Sequence, residues 1–224
     1  MNTATLEAAR RNMVEYQIRC CKVLEPELLD MIESLPRDAY LPENLRSLAY
    51  MEGHVPLPCN QEMLSPLQEA SIMDSLQLTG SERVLEIGGG TGFLTTMLAM
   101  RSEEVVSCEI HDELAKLCKA NLKVHGVTNA SVVHVNAMDA DALSAAGVSS
   151  PFDVIVLAAA IEEVPDHIKS LLNENGQIVA FIGKNPVVSL VHMLIQGSAC
   201  TKTTPFETLL QNMEGLPEKR EFIF

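Results

Sequence analysis

Positive charge is scarce in this sequence. Its 224 residues carry 16 Lys and Arg against 30 Asp and Glu, a formal net charge of −14. Nucleic-acid backbones and anionic membrane surfaces are polyanions, so neither is expected as a partner, and the cations are scattered along the chain instead of forming a patch. No apolar run approaches the roughly 18 residues of a membrane-spanning helix, and the longest, residues 154–161, has the size of a core segment. Residues 1–7 lack the basic-then-apolar pattern of a secretory signal, so none is expected. None of the cysteines (Cys20, Cys21, Cys59, Cys108, Cys118 and Cys200) forms a Cys-x-x-Cys pair, and no His pair stands at zinc-finger spacing. No metal site is therefore expected. Reduced thiols, buried or half-buried in a cytoplasmic protein, are the reading of those cysteines.

What is present is a globular composition, 47% hydrophobic and 21% charged, in a chain long enough to bury roughly 70% of its extended surface. The first eighty residues read as helical. Apolar spacing predicts helices over 7–19, 27–35 (Pro26 in the first-turn position), 43–51 and 67–78. Between them, residues 53–66 hold Pro56, Pro58 and Pro66 and read as an irregular loop. After Gly80 the rhythm changes to β-rich runs alternating with helices. Strands are expected at 83–87, 104–109, 131–135, 152–157, 177–182 and 187–194, with an edge strand in the tail at 221–224. Helices are expected from about Gly92, over 112–125 and over 165–172. Such β-α repeats imply an α/β fold, a doubly wound, mostly parallel seven-stranded sheet with a helical N-terminal extension. The division expected is 1–79 for the extension and substrate loop and 80–224 for the sheet-bearing core, packed as one structural domain.

The most informative stretch is Val84-Leu85-Glu86-Ile87-Gly88-Gly89-Gly90-Thr91-Gly92-Phe93, a buried strand, a glycine turn and a helix start. Glycine permits positive φ and lets a ligand approach the main chain. Open α/β sheets bind ligands at this end of their strands. A dinucleotide fingerprint would need a third glycine at 93, which is Phe93. The glycines fall instead at 88, 90 and 92 behind Glu86. At the end of the second strand stands Glu109, where a carboxylate can take both hydroxyls of a ribose; nicotinamide enzymes use the same contact, so Glu109 alone does not discriminate. The Glu-x-Gly-x-Gly-x-Gly arrangement resembles motif I of class I S-adenosyl-L-methionine-dependent methyltransferases. That resemblance implies a cofactor site of Glu86 (near the amino end of the cofactor), Gly88, Gly89, Gly90, Gly92, Glu109 and Ile110. Asn136, Ala137 and Met138 beside the adenine, with Ala158 on the fourth strand, complete it.

Further motifs follow in order. Met13-Val14-Glu15-Tyr16-Gln17-Ile18, Pro36-Arg37-Asp38-Ala39-Tyr40-Leu41-Pro42, Val55-Pro56-Leu57, Phe152-Asp153-Val154-Ile155 with Ala158-Ala159-Ala160, Val164-Pro165, and Gly176-Gln177-Ile178-Val179 resemble the protein-L-isoaspartate O-methyltransferase family from Arg11 to about Gly183. The resemblance implies methyl transfer from S-adenosyl-L-methionine to the free carboxylate of an L-isoaspartyl or D-aspartyl residue, with a protein or peptide as partner.

Two stretches depart from the family pattern. The family's loop Gly-Gln-Thr-Ile-Ser-Gln-Pro is here Asn60-Gln61-Glu62-Met63-Leu64-Ser65-Pro66. Gln61 and Pro66 hold the frame, but Leu64 offers no hydroxyl, and Glu62 would repel an anionic acceptor. Gln61, Leu64 and Ser65 are the loop's candidates; Ser65 reads either as a substitute hydroxyl or as the cap of the helix behind Pro66. The family's Gly-Asp after the third strand is Asn136-Ala137, with Asp139 as an alternative carboxylate or a solvated loop residue. His54 and Cys59 flank the loop as structural residues, Met13, Met73 and Met97 fall at core spacing, and Glu162-Glu163 are either solvated or at the pocket opening. Two alternatives stay open: a methyltransferase with a different acceptor, and a cofactor-binding protein without transfer activity.

Overall fold

The computed structural model describes residues 3–76, 78–197 and 199–216. Helix α1 (Thr3–Met13) starts earlier than the expected helix and widens at Val14–Ile18 into a π turn that buries Val14 and Ile18. A 3-10 turn follows over Arg19–Cys21, closed by Lys22 in the left-handed conformation, the usual way a helix ends. Proline opens α2 (Pro26–Ser34), which buries Leu28, Leu29, Met31 and Ile32. The helix expected over 43–51 is instead a run of 3-10 turns, Glu43–Leu48. Arg37 draws the Ala49 carbonyl inward onto its Nε at 2.8 Å, away from a continuing helix.

The proline-rich loop contains a two-rung antiparallel ribbon, β1 (Val55–Pro56) against β2 (Glu62–Met63). Its chain reversal passes through Cys59 and Asn60, both at positive φ. Then comes α3 (Pro66–Ser75), started by a capping box in which the Ser65 hydroxyl accepts from Gln68 N and the Gln68 amide oxygen accepts from Ser65 N.

The alternating half runs β3 (Arg83–Ile87), α4 (Phe93–Met100), β4 (Glu104–Glu109), α5 (Asp112–Val124), β5 (Ala130–His134), α6 (Ala140–Ala145), β6 (Phe152–Ile161), α7 (Asp166–Lys169), β7 (Leu172–Lys184), β8 (Val187–Gln196) and β9 (Ala199–Thr208). The seven-stranded sheet has the order β5-β4-β3-β6-β7-β8-β9. Strands β5 to β7 in that order are parallel, and β8 and β9 are added antiparallel. The chain leaves β3 toward β4 on one side and returns to β6 on the other. The crevice where strand order reverses therefore lies at the carboxyl end of β3.

Side chains alternate across the sheet, and both faces are buried, which is why the strands read as unbroken apolar runs. Val84, Val154 and Val156 face a core shared with Leu28, Tyr40, Ile72 and Met97 of the N-terminal helices and α4. Leu85, Ile87, Ile155 and Leu157 face a second core with Leu143 and Ile168.

Several expectations are corrected. Strand β7 is far longer than 177–182, because its first residues already pair with β6 (Phe152 with Leu172). The helix expected over 165–172 is cut to Asp166–Lys169 for the same reason. Neither α6 nor β9 was anticipated. Strand β9, Ala-Cys-Thr-Lys-Thr-Thr-Pro-Phe-Glu-Thr, is almost wholly exposed on the sheet edge, so no apolar alternation marks it. Pro205 sits where the register against β8 shifts, the place a strand tolerates proline. The expected tail strand 221–224 lies outside the described residues. Of the cysteines, Cys108 and Cys118 are buried and the other four are exposed, against the half-buried expectation.

One buried group ties the N-terminal third to the loop. Arg37 is fully buried; it donates to Ala49 O, to Leu64 O at 2.5 Å and to the Glu69 carboxylate, and its guanidinium lies over the Phe93 ring. Removing one partner of such a pair strands the other as an uncompensated charge. Arg37→Met alone is expected to cost about 3–5 kcal/mol in denaturant melts, and adding Glu69→Leu to return part of it. Equal stability of the single and double variants would show that Glu69 carries no buried charge.

Candidate functional site

The site is built on the turn after β3. Gly88 N and Gly89 N both donate to Cys108 O, at 2.8 and 3.3 Å, and Gly90 N donates to Glu109 Oε2 at 2.8 Å. Successive amides of the turn are thus pinned to the tip of the neighbouring strand. The geometry demands glycine: Gly88 has φ +99°, and a Cβ at Gly89 would stand 2.4 Å from Ser107 Oγ. Glu109, nearly buried, also accepts from His111 N at 3.0 Å through Oε1. A carboxylate has about four lone-pair positions. The two backbone amides orient Glu109 and leave accepting capacity for a ligand.

Below the turn a cleft of about 670 Å³, counting its open mouth, is lined by Gln61, Gly88, Gly90, Glu109, Ile110, Asn136, Ala137, Met138 and Ala158 among the predicted residues. Gly89 and Leu64 line a smaller adjoining pocket between the loop and the turn. Glu86, Gly92 and Ser65 line neither. The Ser65 hydroxyl accepts from Gln68 N at 3.2 Å as the helix cap, and Ser65 lines neither space. Asp139 caps α6, accepting from Asp141 N and Ala142 N at 3.0 and 3.1 Å, so it does not replace the missing adenine-side carboxylate. Glu162 and Glu163 are outside both spaces, and Glu163 pairs with Lys169 at 3.4 Å.

Glu86 does not face the cleft. Its carboxylate is fully buried behind the turn, where Ser107 Oγ of β4 and Thr95 Oγ1 of α4 donate to its Oε2 at 2.6 and 2.5 Å. It braces the strand, its neighbour and the following helix. Its parity along β3 is that of Val84, on the face covered by α4, and its register partner is Ser107.

The far wall of the cleft was not legible in the sequence. Leu210, Gln211, Met213 and Glu214 come from the segment after β9. The segment bonds to the end of β6 through Ala160 N to Gln211 O (2.9 Å) and Met213 N to Ala160 O (2.7 Å). Gln211 donates to Asn60 O at 2.9 Å, and Gln61 donates to Glu214 Oε1 at 2.7 Å, closing the strap onto the loop. Glu214 Oε2 also lies 3.2 Å from His111 Nε2. Asn136 donates to Gly215 O at 3.0 Å and accepts from Met138 N. A side chain at 215 would collide with Asn136, since a Cβ there would stand 2.3 Å from its Oδ1. That glycine was the one available signal.

Among the described residues neither Lys nor Arg lines the cleft or the pocket, while Glu62 and Glu109 do. Glu62 lies 3.2 Å from His54 Nδ1, and Leu64 is buried with its carbonyl held by Arg37. Cys108 also lines the cleft, but burial pushes its thiol up to about 12, leaving it neutral and a poor nucleophile.

Burial pushes the Glu86 carboxyl from 4.5 up to about 7, against the hydroxyl bonds that favour its charged form. Between those values the folded state holds a proton that the unfolded state has released, so stability falls as pH rises through this window. Glu86→Gln removes that titration. The variant is expected to match the wild type below about pH 4 and to exceed it increasingly toward about pH 8, by up to about 3 kcal/mol, in melts across pH. A gap that stays constant with pH would refute the buried titration.

The comparisons with known proteins agree with this geometry. Residues 8–207 match the family model of protein-L-isoaspartate(D-aspartate) O-methyltransferases. The chain is 34% identical over 182 residues to protein-L-isoaspartate O-methyltransferase 1 of Rhodopseudomonas palustris, covering 81% of this chain and 72% of that one. It is 31% identical over 185 residues to the protein-L-isoaspartate O-methyltransferase of Methanoculleus marisnigri, covering 83% and 82%. In fold it is similar to a Plasmodium falciparum protein assigned to the same family and solved with S-adenosyl-L-homocysteine, with a TM-score of 0.75 at 18% identity, covering 92% of this chain and 98% of that one. This chain belongs to the protein-L-isoaspartate(D-aspartate) O-methyltransferase family.

Proposed function

We propose that this protein transfers a methyl group from S-adenosyl-L-methionine to the free carboxylate of L-isoaspartyl or D-aspartyl residues in proteins or peptides. One observation carries the reading: in a chain of this family, the glycine turn and the Glu109 carboxylate converge on one cleft at the carboxyl end of β3, where open α/β sheets bind ligands. The residues fit the donor. Its sulfonium and ammonium groups are cations, and among the described residues the walls carry carboxylates without Lys or Arg. Glu109, held by two amides, accepts from the ribose hydroxyls. Gly88 and Gly90 allow close approach to the main chain, and Ile110, Ala137 and Met138 supply apolar surface beside the adenine.

When bound, the donor supplies a methyl group on positively charged sulfur, and the reaction is an in-line displacement. The acceptor carboxylate is ionised near neutral pH, so no strong general base is required of the protein. Its task is alignment and exclusion of water. The strap 209–216 covers the cleft on one side and the loop 57–64 on the other. A second reading, a methyltransferase with a different acceptor, is favoured by one observation: the buried Leu64 offers no hydroxyl, and that of Ser65 is engaged in the cap.

Two measurements test the proposal. Labelled methyl is expected to pass from the donor to an isoaspartyl peptide and not to its aspartyl twin. Glu109→Ala is expected to weaken S-adenosyl-L-homocysteine binding about 10-fold or more by calorimetry. Unchanged affinity in that variant would remove Glu109 from the site. Donor binding without transfer to the peptide would favour the second reading.

A further inference from the structure

Three spaces meet at one side chain. Glu62 lines the cleft below the glycine turn, the small pocket between turn and loop, and an outer mouth of about 620 Å³ counted with its opening. Its side chain is 45% exposed, so its charge is presented to whatever enters. The other polar residues of the mouth, Asn60, Asn185 and Gln211, are neutral.

The single basic group there among the described residues, His54, is already engaged on both nitrogens. Nδ1 lies 3.2 Å from Glu62 and Nε2 lies 2.8 Å from Gln68 Oε1. The Gln68 amide cannot turn to release it, because its nitrogen donates to Leu209 O and Thr208 Oγ1 while its oxygen also accepts from Ser65 N. His54 is thus held at the loop between two acceptors, Glu62 and Gln68 Oε1, and among the described residues no Lys or Arg lines the mouth that a free anion would enter past Glu62.

We propose that Glu62 sets the specificity of acceptor binding, selecting isoaspartyl peptides that carry a lysine or arginine next to the methylated residue. The inference rests on the isoaspartyl reading above. The reacting carboxylate must pass inward toward the glycine turn, and a cationic neighbour left in the mouth pairs with Glu62. That pairing turns the repulsion into attraction and holds the peptide with its carboxylate inward. An acidic neighbour adds a second repulsion. The pair is half-exposed, so its effect is modest and screened by salt.

The experiment uses the full chain and three isoaspartyl peptides identical except for Lys, Gln or Glu beside the isoaspartyl residue, with labelled donor. The expected order of kcat/KM is Lys over Gln over Glu, by about fivefold per step at low salt, shrinking at high salt. Glu62→Gln is expected to flatten the order and Glu62→Lys to reverse it. The wild-type ranking and its salt dependence need no variant and stand even if a variant fails to fold. Methylation of all three peptides at equal rates, or an unchanged ranking in Glu62→Gln, overturns this inference alone. No methylation of any peptide, with S-adenosyl-L-homocysteine still bound, overturns the isoaspartyl reading and the inference with it.

Discussion

The cleft depends on the tip of β4. A strand end normally leaves its last carbonyl and side chain to solvent, but here they take the amides of the adjoining turn: Cys108 O receives Gly88 N and Gly89 N, and the Glu109 carboxylate receives Gly90 N. A buried donor without a partner costs free energy comparable to a lost hydrogen bond. The turn therefore takes its strained path because β4 satisfies it there, and glycine is needed because a Cβ at 89 would strike Ser107. The same carboxylate that fixes the turn is left facing the cleft. The support of the turn and the proposed ligand contact therefore fall on one side chain.

Behind the turn, Glu86 does the complementary work. It joins Ser107 on β4 to Thr95 on α4, tying β3 to the neighbouring strand and the following helix. The sequence spacing made Glu86 look like a ligand, since a carboxylate before a glycine turn often is one. Spacing along a strand gives distance, while parity gives the face. Glu86 shares the face of Val84, beneath α4, and lines neither the cleft nor the adjoining pocket.

Legibility followed the same division. The glycine turn, the five parallel strands and Glu109 were readable because local chemistry marks them: positive-φ residues, apolar runs and a strand-end acid. Edge strand β9 was not, because its exposed residues show no period even though it pairs with its chain neighbour β8, and the strap 209–216 was not, because its backbone bonds attach to Ala160, far away in the chain. Ser65 was the intermediate case. The pattern Ser65-Pro66 with Gln68 is both a capping box and a shifted catalytic loop on paper, and the reciprocal bonds with Gln68 assign it to the cap.

The loop that departs from the family is, for that reason, better understood as a re-wired support than as a lost one. Its frame is held by two contacts: Gln61 reaches across the cleft to Glu214 on the strap, and the Leu64 carbonyl is fixed by a fully buried Arg37. What changed is the charge and polarity presented inward. A hydroxyl position became the buried Leu64 side chain, and the neighbouring rung gained Glu62 facing three joined spaces. A loop held by main-chain hydrogen bonds can exchange the side chains between them without losing its path. Electrostatics around the entering group are then free to differ, and it is there that this chain diverges from the family's loop.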